Sequence, residues 1–431
     1  MMNELRRQLD VLGDLAGLDE LKTRAARDRT GLTRRSVNAH VHVPPNFSAF
    51  NSVADAVGQA DRENVRVLGV SNYYDYRVYG PFIAEARRHA VFPLLGVEVI
   101  SLADDRDLGH MRVNDPDNPG RMYLCGKGTT RLTPMSARAK GLLERIRRHD
   151  RTRMAEMTRR LAEVFAEAGI ETGLDDEGII DRVVERYGCA RDSVTLQERH
   201  LARAFQEVLF QRVPVHARAD KLSKILGDEW TSAPDDAEGV QHEIRKRLMK
   251  VCGPAFVAET FLSEGEARQF VLELGGIPCY PTLADGADPV CEFEHPPSLL
   301  AERLKARDIH MVEFIPIRNR PEVVRDYVRA VRDSGIAVVA GTEHNTTDPK
   351  GLEPTCLKGE PTAEEMKDVF WEGACVVAAH QFLVLNDACG FVDDQGRPNP
   401  DYRDDEGRIQ AFARLGASVI ERFLKTHPEM E

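Results

Sequence analysis

The sequence predicts an α/β protein built as a barrel-like sheet with covering helices, interrupted by a large all-helical insertion and flanked by helical terminal extensions. Two observations carry this. Short apolar runs alternate with helical segments in two separate stretches, and between them lies a long charge-rich stretch with no strand pattern. Alternation of that kind is the signature of parallel strands joined by crossover helices.

Residues 1–35 read as a helical extension. Leu5, Leu9, Leu12 and Leu15 fall at helical spacing, followed by a polar, Arg-rich link from Arg24 to Arg35. From Ser36 the runs VNAHVHV, VRVLGV and FPLLGVEVIS predict strands, with helices near Ser52 to Asn64 and Phe82 to Ala90 between them. Strands resume after Ser263 in GGIPCYPTL, HMVEFIPI and IAVVAGTEHNT, with a helix over RPEVVRDYVRAVRDSG. The expected organisation is therefore a barrel over 36–115 and 263–353, a helical insertion over 116–262, and a helical extension over 354–431 that ends in a helix near Arg408 to Lys425.

At 431 residues the chain exceeds what one core usually supports, which fits a main domain plus an inserted one. No stretch looks like the roughly 20 apolar residues of a membrane helix. The opening MMNELRRQLD carries charge where a signal peptide needs an apolar core, so a cytoplasmic protein without disulfides is expected. The eight cysteines include no Cys-x-x-Cys pair, which argues against structural zinc. A net charge of −12 argues against bulk nucleic-acid binding, so a phosphate-bearing substrate would have to meet local positive charge or a metal.

The chemistry-bearing residues sit where strands end. In Asn38-Ala39-His40-Val41-His42, alternate strand residues point the same way, so His40 and His42 can present both imidazoles to one ion. Two histidines merely alternating on a half-buried strand are the plain alternative. In Leu95-Gly96-Val97-Glu98 a carboxylate emerges from an apolar strand, an expensive place for a charge unless it meets a cation. His110 returns twelve residues later, as a ligand or a surface histidine. In Gly341-Thr342-Glu343-His344-Asn345 another apolar strand delivers polar groups at its end, and either Glu343 or His344 could complete a site. Histidine and carboxylate donors without cysteine suit Mn, Zn or Fe, as one or two ions. The tyrosines of SNYYDYRVYG could line a pocket, whereas His380 in VVAAHQFLV reads as a core histidine.

The order of these motifs resembles the PHP (polymerase and histidinol phosphatase) superfamily: a His-x-His on the first strand, a Gly-x-Glu on the third, a histidine soon after, a GG-apolar-Pro strand late and a Gly-Thr-acid cluster on the last. The resemblance covers 36–115 and 263–350. It implies a distorted (β/α)7 barrel holding a divalent metal on His40, His42, Glu98, His110 and Glu343. His344 falls at a spacer position. Departures are plain: Ser71-Asn72-Tyr73 stands for the family's Thr-Asp-His, Cys279-Tyr280-Pro281 for Ala-His-Pro, and Asn345 for the last histidine. The insert is similar to that of family phosphoesterases acting on nucleoside bisphosphates and oligonucleotide ends, which places Arg199 and His200 beside Asn72, Tyr73, Tyr280 and Asn345 as substrate contacts. The implied activity is hydrolysis of a small phosphorylated metabolite or nucleotide by metal-activated water, catalysed through His40, His42, Glu98 and Glu343. An amidohydrolase-type reaction and a non-catalytic metabolite-binding scaffold are the other readings, and the sequence is compatible with an oligomer.

Overall fold

The computed structural model describes residues 2–15, 17, 20, 33–104, 108–348 and 350–426. Most of the polar link from Arg24 to Arg35 lies outside the described residues. The chain divides into two compact units, one of residues 1–43, 49–143 and 262–431, the other of residues 44–48 and 144–261.

The first unit is a nearly closed barrel. β1 (Ser36–Val41), β2 (Val65–Tyr73) and β3 (Phe92–Leu102) run parallel, as do β6 (Ile277–Thr282), β7 (Met311–Phe314) and β8 (Ala337–Ala340). β4 (Arg121–Lys127) lies between β3 and β6 and runs antiparallel to both, while the two-residue β5 (Leu262–Ser263) attaches to β3. Seven strands thus form the path β1-β2-β3-β4-β6-β7-β8. The circle closes through backbone contacts at the ends of β8 and β1. His42 N–H donates to Glu343 O at 2.8 Å, and Glu343 N–H to His40 O at 2.9 Å. The strands read as continuous apolar runs because both faces are covered, by the barrel interior and by helices.

β4 departs from the expected pattern. Its sequence, RMYLCGK, begins and ends in a base and follows a polar loop, so its charges read as the start of the charged helical stretch. It belongs to the barrel, and the helical unit starts only at Glu144.

The helix Glu364–Leu385 is long and apolar enough to meet a membrane-span criterion by composition, contrary to the sequence expectation, yet 72% of that window is buried inside the protein. Its contacts explain the composition. Gly373 brings it against the backbone of Val338 in β8, and Gly416 of the helix Asp405–Thr426 lies against the backbone of Cys375. A Cβ at either glycine would run into a carbonyl. Gly416→Val is therefore expected to lower stability by about 1–3 kcal/mol or more, as overpacking does, read as a fall in the thermal midpoint.

The second unit is helical, with its own core of Met157, Leu161, Phe165, Leu201, Phe205, Leu209, Leu222 and Ile244 among others. Its helices include Asp176–Tyr187, Glu198–Arg212 and Val215–Leu226.

Candidate metal centre

Strand parity builds the barrel interior. On β1, Asn38 and His40 share one face, and His42 follows at the strand's end. Asn38 fixes this segment: its Nδ2 donates to Thr342 Oγ1 at 2.6 Å and to Leu352 O at 2.8 Å, while its Oδ1 accepts from His40 N–H at 3.0 Å. From β3 comes Glu98, and from β7 comes Glu313. On β4, Cys125 and Lys127 face inward, whereas Gly126 between them faces Val271 of an outer helix.

Three donor atoms converge. His42 Nε2 lies 3.1 Å from Glu98 Oε2, His40 Nε2 lies 3.5 Å from the same oxygen, and the two Nε2 atoms are 3.4 Å apart. All three residues are buried, Glu98 the most exposed at 6%. Bonds of about 2.0–2.2 Å to a divalent ion set neighbouring ligands roughly 3.0–3.5 Å apart, so this triangle has the size of one face of a metal coordination shell. Glu98 Oε2 is fully buried and has no hydrogen-bond donor of good geometry, which leaves its lone pairs for a cation. The residues present fit a divalent ion.

Behind them lies a chain of charges. His40 Nδ1 pairs with Glu313 Oε2 at 2.7 Å, and Glu313 Oε1 accepts from Lys127 Nζ at 2.7 Å. Carboxylate-backed histidines of this kind present the other ring nitrogen to a metal. Burial opposes the charge on His40, but Glu313 outweighs it and raises His40 to about 9. His42, buried more completely than it is compensated, is lowered. Burial likewise opposes the charges on Glu98 and Glu313. The two imidazoles nevertheless hold Glu98 below the usual carboxylate range, and Lys127 and His40 do the same for Glu313.

The remaining expected site residues divide. Tyr73, partly exposed, stacks on His42 with ring centroids 5.3 Å apart and hydrogen-bonds Glu98, so it belongs to the cluster. Glu343 turns its carboxylate to Arg318 and to Asn345 Nδ2, the latter at 2.6 Å, and is not among the converging donors. His344 uses both ring nitrogens elsewhere, on Thr342 Oγ1 at 2.7 Å and on Lys350 O at 3.0 Å, and stacks on Phe50. His110 sits exposed on the 3-10 turn Leu108–His110 rather than on a strand. Asn72 clamps the end of β1, donating to Val43 O and accepting from Val43 N–H. Tyr280 has the parity opposite to Cys279, which neighbours Glu313 and Lys127 inside the barrel. The Tyr280 hydroxyl bonds Val113 O and Glu294 instead. In the helical unit, Arg199 is half-buried and His200 is buried, its Nδ1 accepting the backbone N–H of Gln197 at 3.0 Å to cap a helix. His380 is a satisfied core histidine, bonded to Gly275 O and Phe391 N–H.

Glu313 and Lys127 carry the site's charge chain yet do not stand out in the sequence as Glu98 does. The signal that could have found Glu313 is the same as for Glu98, a carboxylate inside an apolar run, here HMVEFIPI.

No protein-family model and no curated protein matches this chain. Solved structures are similar to it, among them the following two. A candidate metal-dependent phosphoesterase from Bifidobacterium adolescentis superposes with a TM-score of 0.50 at 13% identity, covering 79% of this chain and 96% of that one. An amidohydrolase from Chromobacterium violaceum, solved with bound sulfate and no metal, superposes with a TM-score of 0.49 at 13% identity, covering 78% and 96%. The likeness is one of fold. This chain shares a distorted TIM-like α/β barrel with the candidate phosphoesterase, and its site rests on its own geometry.

Proposed function

We propose that this chain is a divalent-metal-dependent hydrolase of phosphate esters acting on a small phosphorylated metabolite or nucleotide. The observation that carries the reading is the buried triangle of His40 Nε2, His42 Nε2 and Glu98 Oε2, each edge 3.1–3.5 Å, where strand ends build the sites of such barrels. When bound there, a divalent ion supplies Lewis-acid polarisation and lowers the pKa of water. The protein's own groups do the rest. Glu313 holds the His40 ring so that Nε2 faces the cluster. Tyr73, itself partly exposed, steadies the Glu98 carboxylate. Arg318, about one-third exposed on its side chain, is tethered to Glu343 and offers a guanidinium to phosphoryl oxygens. The ester class draws support from this guanidinium and from the fold shared with the candidate phosphoesterase, whose substrate is not thereby assigned here.

The test is hydrolysis of an aryl phosphate and of a nucleoside 3′,5′-bisphosphate by protein loaded with Mn²⁺, stripped with chelator and reloaded. Turnover that disappears on stripping and returns on reloading is expected. Turnover that survives stripping overturns the metal reading, and metal that binds without hydrolysis of either ester moves the reaction to a C–N or C–O bond.

A further inference from the structure

A second set of potential ligands lies directly behind the first. The ring of His40, the thiol of Cys125 and the carboxylate of Glu313, all buried, bring donor atoms within 4.8 Å of one another, and His40 belongs to both sets. On composition alone this would be a second ion's position in a two-metal centre. The structure fills it otherwise. Lys127, 2% exposed, reaches in from β4 and spends its ammonium on three acceptors, the number it has hydrogens for: Glu313 Oε1 at 2.7 Å, Ala39 O at 3.1 Å and Ser71 Oγ at 3.2 Å. The room for it is prepared. Lys127 stands opposite Gly96 in the β3–β4 register, and a Cβ at Gly96 would strike Ser71 Oγ, one of the three acceptors.

Two consequences follow from electrostatics. A buried carboxylate needs a compensating cation, and Glu313 has one built into the chain. A divalent ion at the second set would have to approach that ammonium in a low-dielectric interior, where like charges repel strongly. Glu313, with one oxygen committed to Lys127, turns the other to His40 Nδ1, so Nδ1 keeps its proton while Nε2, once it gives up its own, faces the first set as a donor.

We infer that Lys127 is the fixed second cation of this centre: through Glu313 it positions His40, and it confines the site to one divalent ion. The inference rests on the metal reading above and assigns Lys127 and Glu313 as positioning residues.

The experiment measures bound metal per chain by elemental analysis, after dialysis against excess Mn²⁺ or Zn²⁺, together with affinity by chelator competition. The full chain is compared with Glu313→Gln, Lys127→Met and the double variant, and thermal midpoints are recorded for each. One ion per wild-type chain is expected. Glu313→Gln should bind that ion about 10- to 100-fold more weakly, the usual effect of removing an orienting partner. The double variant should match Glu313→Gln in affinity for the first ion, because Lys127 acts on His40 only through that carboxylate. Lys127→Met should take up a second ion to balance Glu313. If that protein does not fold, the double variant, which leaves no buried charge alone, decides. Two ions in the wild type, a folded Lys127→Met that still binds only one, or wild-type affinity in Glu313→Gln or in the double variant, overturns the inference and leaves the metal reading standing. A wild-type chain that binds no ion removes the metal reading itself, and the inference with it.

Discussion

Replacing His40 by alanine is expected to remove bound metal and hydrolysis together. His40 is the one residue common to the converging donors and to the charge chain behind them. The substitution deletes one edge-sharing ligand of the triangle. It also leaves Glu313 Oε2 facing a void where it had paired with Nδ1 at 2.7 Å. A metal in such a site supplies several kcal/mol of charge stabilisation in the transition state, so its loss corresponds to a fall of about a thousandfold or more in turnover. Glu313 keeps Lys127 as its counter-charge, which favours a folded variant on which the measurement can be made. Elemental analysis beside the phosphate-ester assay checks it. Metal retained at wild-type stoichiometry would show that His40 is not a ligand.

The second large effect is on stability against acid. His200 and His380 each accept a backbone N–H at Nδ1, from Gln197 and from Phe391, an arrangement open only to a neutral ring. Burial lowers His200 to about 3 and His380 to about 4, and it lowers His310 to about 4 as well. A histidine depressed in this way contributes stability that is fully present above its unfolded value of 6.5 and is lost as pH falls toward the folded value. Each therefore forfeits roughly 3 kcal/mol by pH 4.5, at about 1.4 kcal/mol per unit. Glu294, which burial raises to about 7, works the other way and regains a comparable amount over the same range. Glu294 thus offsets only part of the loss, and His344, which burial also lowers to about 4, adds to it. The midpoint of urea unfolding is expected to fall steeply between pH 6.5 and 4.5, and His380→Gln should flatten that slope. A midpoint constant over this range would show that these rings are not held neutral.

How far the site could be read from sequence depended on side-chain alternation and on backbone conformation. His40 and His42 were legible by their alternation on one strand and Glu98 as a carboxylate inside an apolar run, a signal that Glu313 shares. Lys127 was hidden by its own segment, whose flanking charges suit a helix as well as a strand. The residues after β8 misled for a different cause. Glu343 and His344 have φ of 61° and 50°, in the left-handed region, so strand alternation stops at Thr342 and their side chains turn toward Arg318 and the Phe50 ring. Tyr280 failed on parity, one position off the inward-facing Cys279. The helical insertion was legible as a class, while its start was not, because β4 carries no strong alternation. The barrel itself followed from the alternation of apolar runs and helices, which is the most robust signal a sequence holds.

The reversed direction of β4 gives its alignment an unusual burden. In most sheets a slip of one residue exchanges an oily face for a wet one. Here it would carry Gly126 or Gly128 into the place of Lys127 and take from Glu313 the ammonium that it meets at 2.7 Å. Insertions or deletions in the short stretch that follows Lys127 are thus a route to undoing the charge chain behind His40 without touching His40, His42 or Glu98, and designers grafting new segments at that junction should keep its length fixed.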